Sequence, residues 1–403
     1  MIKLGRSSDN YLHHLLSIIG FKANGLREKQ VYLYTAYLLA WLMDAIFGLL
    51  YEWENFIMRL SVMNDLTLVI SLLLYWHFMG DLHVLFGIIK RYREKLQSSS
   101  SFENINRRFL ENLEKMDEYV EIAIRLYVIF HFAFIAVPIS SLVYKVATSE
   151  EEIDYRRMPQ IWYFHYPASL ERVTFLHYCC GNLLIYLALV GAGFLSIIII
   201  YSVSISIYSI INSFDYLILC MLDWDQLSTD INTKLNSENV NSSTLEFYEL
   251  RLRYGLYEII VFHQDLCRET SNINEGLQNV LLIFINSCAI QICLGFFSLT
   301  EGDDKLKYLT YATFVLIFLT CICGLGQLVK NKVDILRVTL AQFGWVDKPA
   351  YYKKALLIMI THAARDMEIN PYGLHPLDMQ TFTKIMKLLY SISNIVSHYK
   401  ARV

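Results

Sequence analysis

Apolar and polar positions alternate along this chain in long blocks rather than residue by residue. Seven blocks are nearly continuous in apolar side chains, at 31–51, 66–86, 122–144, 183–211, 277–297, 308–328 and 380–398. Each runs to about 20 residues or more, the length a helix needs to cross about 30 Å of hydrocarbon. Only helices and closed barrels satisfy their own backbone in lipid, and these blocks lack the period-2 alternation of barrel strands. The expected fold class is therefore all-α: a polytopic membrane protein with seven transmembrane helices. A hydrophobic fraction of 55% and a mean hydropathy of +0.35 agree, since a soluble chain so apolar would aggregate.

Charge then orients the spans. With the N-terminus inside, the cytoplasmic segments 1–30, 87–121, 212–276 and 329–379 carry 23 Lys and Arg, against nine in the opposite segments. The positive-inside rule thus predicts a cytoplasmic N-terminus and, after seven crossings, an extracellular C-terminus. None of the eight cysteines falls in the outer loop 145–175, so no disulfide is expected there. The sequon Asn241-Ser242-Ser243 is placed inside, where it would carry no glycan. Residues 1–30 show no apolar core with a small-residue cleavage site, so no cleaved signal peptide is expected. A net charge of −3 gives no hint of nucleic-acid binding.

The loops have their own patterns. Tyr11, Leu12, Leu15, Leu16, Ile18 and Ile19 suggest an amphipathic cytoplasmic helix before the first span, and 87–121 reads as helical extensions joined at Ser98–Ser101. Outside, an acidic run from Glu150 to Asp154 precedes Pro159, Trp162, Tyr163, Phe164, Tyr166 and Pro167, a loop suited to capping a pocket or lying in the interfacial belt. The sixth span is followed by about fifty residues too polar to cross and too patterned for disorder. Lys330–Phe343 and Tyr351–Ala364 are predicted helices separated by Gly344, Trp345 and Pro349, and Pro371, Gly373 and Pro376 break the chain before the last span. The expected organisation is a cytoplasmic segment 1–30, spans one to six over 31–328 with 212–276 as a cytoplasmic anchor part, anchor helices over 329–379, and the seventh span with its tail over 380–403.

The seventh span is the most informative. Lys384, Lys387, Ser391, Asn394 and His398 recur at intervals of three and four, so they share one helix face. Charged groups in hydrocarbon cost kilocalories each, and such a stripe must face protein or water. Two arrangements satisfy it: the stripe turns into its own six-helix bundle, or several copies gather their seventh spans around an aqueous path.

Cys323-Gly324 through Asn331, then Trp345-Val346-Asp347-Lys348-Pro349, Leu356-Leu357-Ile358-Met359, Ala363 with Arg365, Pro376-Leu377, Thr381-Phe382 and Tyr390-Ser391 together closely resemble the C-terminal signature of insect odorant receptors. Leu256–Leu266 with His263 looks like their cytoplasmic helix between spans four and five. The resemblance covers roughly 210–403 by residue and the remainder by topology. It implies a ligand-gated, cation-conducting tetramer in the plasma membrane of a sensory neuron dendrite, in which a tuning subunit assembles with co-receptor subunits. It further implies a cytoplasmic anchor, to which Trp345, Pro349, Leu356 and Phe382 would belong, and a pore lined by the seventh span. Aligned from Thr381, the gate falls on Ile395 and Tyr399, with Ser391, Asn394 and His398 alongside; Tyr399 departs from the family's usual small aliphatic. The co-receptor's long insert between spans four and five is missing, which marks a tuning subunit. A gustatory receptor channel is the nearest alternative.

Aromatic and small polar clusters in the outer halves of the spans are candidates for enclosing a small volatile ligand. They are Tyr75, Phe78 and Met79 in the second span, Phe130, Phe134 and Pro138 in the third, Tyr186 and Leu187 in the fourth, and Tyr308 with Tyr311 in the sixth. Such a pocket binds by burying apolar area with few hydrogen bonds, although each residue alone is more often ordinary helix packing. Asp44, mid-way along the first span, is either a functional carboxylate or a helix-helix contact. His77, His83 and His131 match no metal motif, and no metal or cofactor is expected. No phosphate-cradling glycine loop, His-Glu-x-x-His or nucleophile elbow is present, so no catalytic residue is assigned. The Asp-Arg-Tyr and Asn-Pro-x-x-Tyr motifs of G-protein-coupled receptors are also absent.

Overall fold

The computed structural model describes residues 29–51, 56–78, 173–237, 242–301, 305–344, 350–363 and 367–400, with isolated positions between 111 and 155. Its helices are α1 (Lys29–Tyr51), α2 (Phe56–His77), α3 (Phe175–Ser237), α4 (Ser242–Glu301), α5 (Lys305–Gln342), α6 (Ala350–Ala363) and α7 (Met379–Lys400), with a 3-10 turn at Pro371–Gly373 before α7. Every described position from 111 to 148 is helical, as the third span requires. The amphipathic segment around Tyr11–Ile19 and the Ser98–Ser101 run lie outside the described residues.

The greatest departure from expectation is length. The block at 183–211 belongs to a 63-residue helix, and the block at 277–297 belongs to a 60-residue one. At 1.5 Å per residue these are about 95 Å and 90 Å long, roughly three times the hydrocarbon thickness. The segment 212–276 is thus a pair of helical extensions. The sixth span likewise runs without a break into the predicted helix at Lys330–Phe343, making the single 38-residue α5. Among the described residues, α3, α4 and α5 are long and apolar enough to cross a membrane, and the shorter apolar stretches Thr35–Leu50, Val62–His77 and Phe175–Ile185 accompany them.

α4 is the hub, packing against α2, α3, α5, α6, α7 and the 3-10 turn. Its inner face places Leu277, Leu281, Ile285, Cys288 and Ile292 in the core at three- and four-residue intervals. Polar groups seal the α2–α4 seam: Ser71 donates to the Thr67 carbonyl, and its oxygen lies 2.6 Å from Ser287 Oγ. The Trp76 indole N–H donates to Thr35 Oγ1 of α1 at 2.8 Å. Gly295 lets α4 approach α5, where a Cβ would meet that of Ala312 at 3.3 Å. On α1, Leu39, Met43, Ile46, Phe47 and Leu50 are exposed on the outer side, as lipid contact demands. Tyr155 packs on Phe175 and Tyr178, pinning part of the 145–175 loop to the start of α3.

Candidate functional site

The extensions of α3, α4 and α5 beyond their apolar blocks, with α6, form the base from which α7 rises. At its centre three rings, from α3, from α6 and from the residue just past α5, lie nearly parallel. Trp224 of α3 lies 5.2 Å from Tyr352 of α6 at an interplanar angle of 9°, and 5.8 Å from Phe343 at 12°. All three are buried, and the Trp224 indole N–H donates to the Leu252 carbonyl of α4 at 3.1 Å. Burial pushes the Tyr352 phenol well above its usual range, with Asp225 adding to the shift. Leu356, an expected anchor residue, is buried beside this stack on α6, while Trp345 and Pro349 lie outside the described residues. Lys332 of α5 reaches Asp215 of α3 at 2.6 Å, and Arg337 Nε donates to the backbone carbonyl of Ala363, the last residue of α6, at 2.7 Å.

Residues 367–378 strap this base to α7. The Asn370 N–H donates to Asn274 Oδ1 of α4 at 2.9 Å, and the Tyr372 hydroxyl donates to Asn279 Oδ1 one turn or so further along. Tyr372 takes φ 56 and Gly373 φ 70, so two successive left-handed residues reverse the chain here. Holding a tyrosine in that region costs about 1–3 kcal/mol, which its bond to Asn279 helps to offset. Beyond the turn, α5 approaches so closely that a Cβ on Gly326 would stand 1.9 Å from the Leu377 carbonyl oxygen. One turn along the same face, Lys330 Nζ sits 3.0 Å from Asp378 Oδ2, and Gln327 accepts from the Met379 N–H at 3.3 Å.

Asp378 has a second task. Its Oδ1 accepts the Thr381 N–H at 2.8 Å, the N-cap geometry that satisfies a free donor at the start of α7. Burial alone would raise its pKa, but the Thr381 N–H and then Lys330 outweigh it and hold the carboxyl below the usual range. Both its oxygens are thus committed, one to Lys330 and the other to the cap.

α7 packs on α4 and α5 through Thr381, Phe382, Ile385, Met386 and Leu389. Lys384, Lys387, Ser391 and Asn394 are exposed. At 100° per residue they fill the middle of the exposed arc, with Leu388 and Tyr390, 58% and 68% exposed, at its edges. Within one chain these described residues of the polar stripe therefore turn away from α4 and α5. Ile395, His398 and Tyr399 lie on the same helix, but their side chains fall outside the described residues.

The pocket candidates divide similarly. Tyr75 is buried on α2, and Phe78 packs against the core. Tyr308 is buried on α5, and Tyr311, one turn on, is partly buried against the core. Tyr186 and Leu187 are on α3 without described side chains; Met79, Phe130, Phe134 and Pro138 lie outside the described residues. Asp44 is half-buried on α1 and His77 is exposed, while His83 and His131 are not described. The aromatic stack, Gly326 and the two strap asparagines were missed by sequence reasoning. Their only local signals were a tryptophan set between two aspartates and a Gly-x-Gly inside a helix.

Residues 54–390 match the family described as 7tm Odorant receptor. The chain belongs to the odorant receptor family. It is 24% identical over 145 residues to Odorant receptor 49a of Drosophila melanogaster, covering 35% of this chain and 36% of that one. To Odorant receptor 2a of the same fly it is 21% identical over 193 residues, covering 45% and 48%. The matches thus span less than half the length of these two relatives. In fold it is similar to the insect olfactory receptor OR5 from Machilis hrabei, with a TM-score of 0.67 over 96% of this chain and 97% of that one, at 11% identity. The same receptor in complex with eugenol matches equally well, over 97% of each chain.

Proposed function

We propose that this odorant receptor is the tuning subunit of a ligand-gated, non-selective cation channel in the plasma membrane, assembled with co-receptor subunits as a tetramer. A small volatile organic ligand binds among spans two, three, four and six, and opening widens a pore lined by α7. The observation that carries the reading is the outward-facing stripe of Lys384, Lys387, Ser391 and Asn394. Two lysines on a membrane helix cannot stay against lipid, and neighbouring subunits around water relieve that cost. A receptor of this fold solved with eugenol, a small phenol, supports a ligand of that size.

Currents recorded from cells expressing this chain with a co-receptor, against a panel of volatiles, test the reading. Ligand-gated cation current is expected. Helical register sets Ile395 beside the stripe, so Ile395→Ala is expected to widen an apolar constriction and raise ligand-independent current. Unchanged leak in channels that reach the surface would place the constriction elsewhere.

The pocket has its own test. Removing a phenol ring takes on the order of 100 Å² of contact from a ligand, about 2 kcal/mol, so Tyr308→Ala and Tyr311→Ala should each raise half-maximal concentrations about tenfold or more. Surface assembly should persist, since neither residue touches the anchor. Dose-response curves identical to wild type for every ligand would remove α5 from the pocket.

A further inference from the structure

The polar stripe of α7 is not uniform along its length. Lys384 and Lys387 stand near the end that springs from the base, whereas Ser391 and Asn394, further along the same exposed face, are neutral. From Met379 to Lys400 the helix holds no aspartate or glutamate. The nearest carboxylate in sequence, Asp378, is already bonded to Lys330 and to the Thr381 N–H. Among the described residues neither Lys384 nor Lys387 forms an ion pair, and both are exposed. The Ser391 hydroxyl donates to the Lys387 carbonyl at 2.9 Å, which commits its proton and leaves its oxygen to accept. The exposed face thus carries two uncompensated positive charges at one end and neutral oxygen acceptors beyond them.

We propose that Lys384 and Lys387 set the ion selectivity of the conduction path, as a fixed positive charge at its inner mouth that discriminates against divalent cations. The proposal rests on the reading that α7 lines this path with its Met379 end inward. A fixed charge beside a narrow aqueous mouth shifts the local concentration of mobile ions, and low-dielectric walls focus its field. The energy of an ion in that field scales with its valence. The factor by which the lysines thin out sodium at the mouth is therefore squared for calcium. The two lysines are about 4.5 Å apart along the axis, inside one Debye length of about 8 Å, so their fields add. Ile395 stands about 12 Å beyond Lys387, where screening has removed most of the field, and the constriction is left to its apolar side chain. A charge confined to the inner end also acts unequally on the two directions of flow. It thins the cations that would leave the cell and not those that enter, so the current rectifies inward.

The test records whole-cell currents from this chain expressed with the co-receptor, with sodium and calcium as the permeant ions. Lys384→Gln combined with Lys387→Gln should raise the calcium-to-sodium permeability ratio about twofold to fourfold and flatten the rectification. Lys384→Glu with Lys387→Glu should carry both changes further, and Lys384→Arg with Lys387→Arg should leave them at wild type. Where a charge-changing variant fails to reach the surface, Lys387→Cys is modified in assembled channels, against reagent-treated wild type as the background for the eight native cysteines. A cationic thiol reagent should restore the wild-type ratio there, and an anionic one should raise it. Reversal potentials and rectification indifferent to charge, in channels still inhibited by modification of Ser391→Cys, would overturn the role of the lysines and leave the pore reading standing. Indifference at Ser391→Cys as well would overturn both.

Discussion

Gly326→Ala is expected to prevent the receptor from folding into a form that reaches the cell surface. The new Cβ would lie 1.9 Å from the Leu377 carbonyl oxygen and 2.8 Å from both its carbonyl carbon and its Cβ. Most of that obstruction is backbone, so no side-chain rotation relieves it. α5 and the strap would have to part by more than about 1 Å, pulling Lys330 from Asp378 and Gln327 from the Met379 N–H. Overpacking a core by a methyl group costs about 1–3 kcal/mol, and a clash with rigid backbone belongs at or beyond the upper end. Gly324→Ala is the control: nothing lies within 4 Å of a Cβ there. Trading glycine for alanine inside a helix is then worth up to about 1 kcal/mol in stability. Surface expression and thermal unfolding in detergent should separate the two variants sharply. Equal behaviour would mean that α5 and the strap do not meet as described.

Trp224→Ala should cost about 3–5 kcal/mol, the range for removing a large buried aromatic. The loss has identifiable parts. The indole packs against both Phe343 and Tyr352, donates to the Leu252 carbonyl, and occupies room that Gly255 leaves open, since a Cβ at 255 would meet Trp224 Cδ1 at 2.8 Å. Trp224→Phe keeps a stacking ring and gives up the N–H bond, so its penalty should be nearer 1–2 kcal/mol. Because the stack joins α3, α5 and α6, the alanine variant should lower the unfolding temperature and reduce subunit assembly together. A wild-type melting temperature for Trp224→Ala would contradict the central place given to the stack.

Much of this architecture was legible in the block pattern, and the exceptions have physical causes. Hydropathy detects the part of a helix that lipid covers, so it marked 183–211 and 277–297 and took the polar continuations of α3 and α4 for a separate cytoplasmic segment. The same cause split α5 at Lys330. α6 was readable because its amphipathic pattern is complete, from Ala350 to Ala363 against an expected Tyr351–Ala364. The polar stripe of α7 was readable from intervals of three and four, yet its direction depends on which residues α4 and α5 cover, and no local pattern records that. Trp224, Phe343 and Tyr352 come from three separate stretches of chain, and Cys267 meets Met367 across 100 residues. Only folding brings such groups together. The signature around Gly324–Asn331 and Pro376-Leu377 carried more than resemblance: its two parts touch, at Gly326 against Leu377.

The central claim is that the exposed face of α7 lines the conduction path. Single cysteines at 391, 394, 395 and 398, expressed with the co-receptor and treated with a charged, membrane-impermeant thiol reagent during ligand application, test it most directly. Current through channels modified at these positions should fall, with faster modification in the open state than in the closed one. Rates and currents unchanged at all four positions, in channels that reach the surface and respond to ligand, would contradict it.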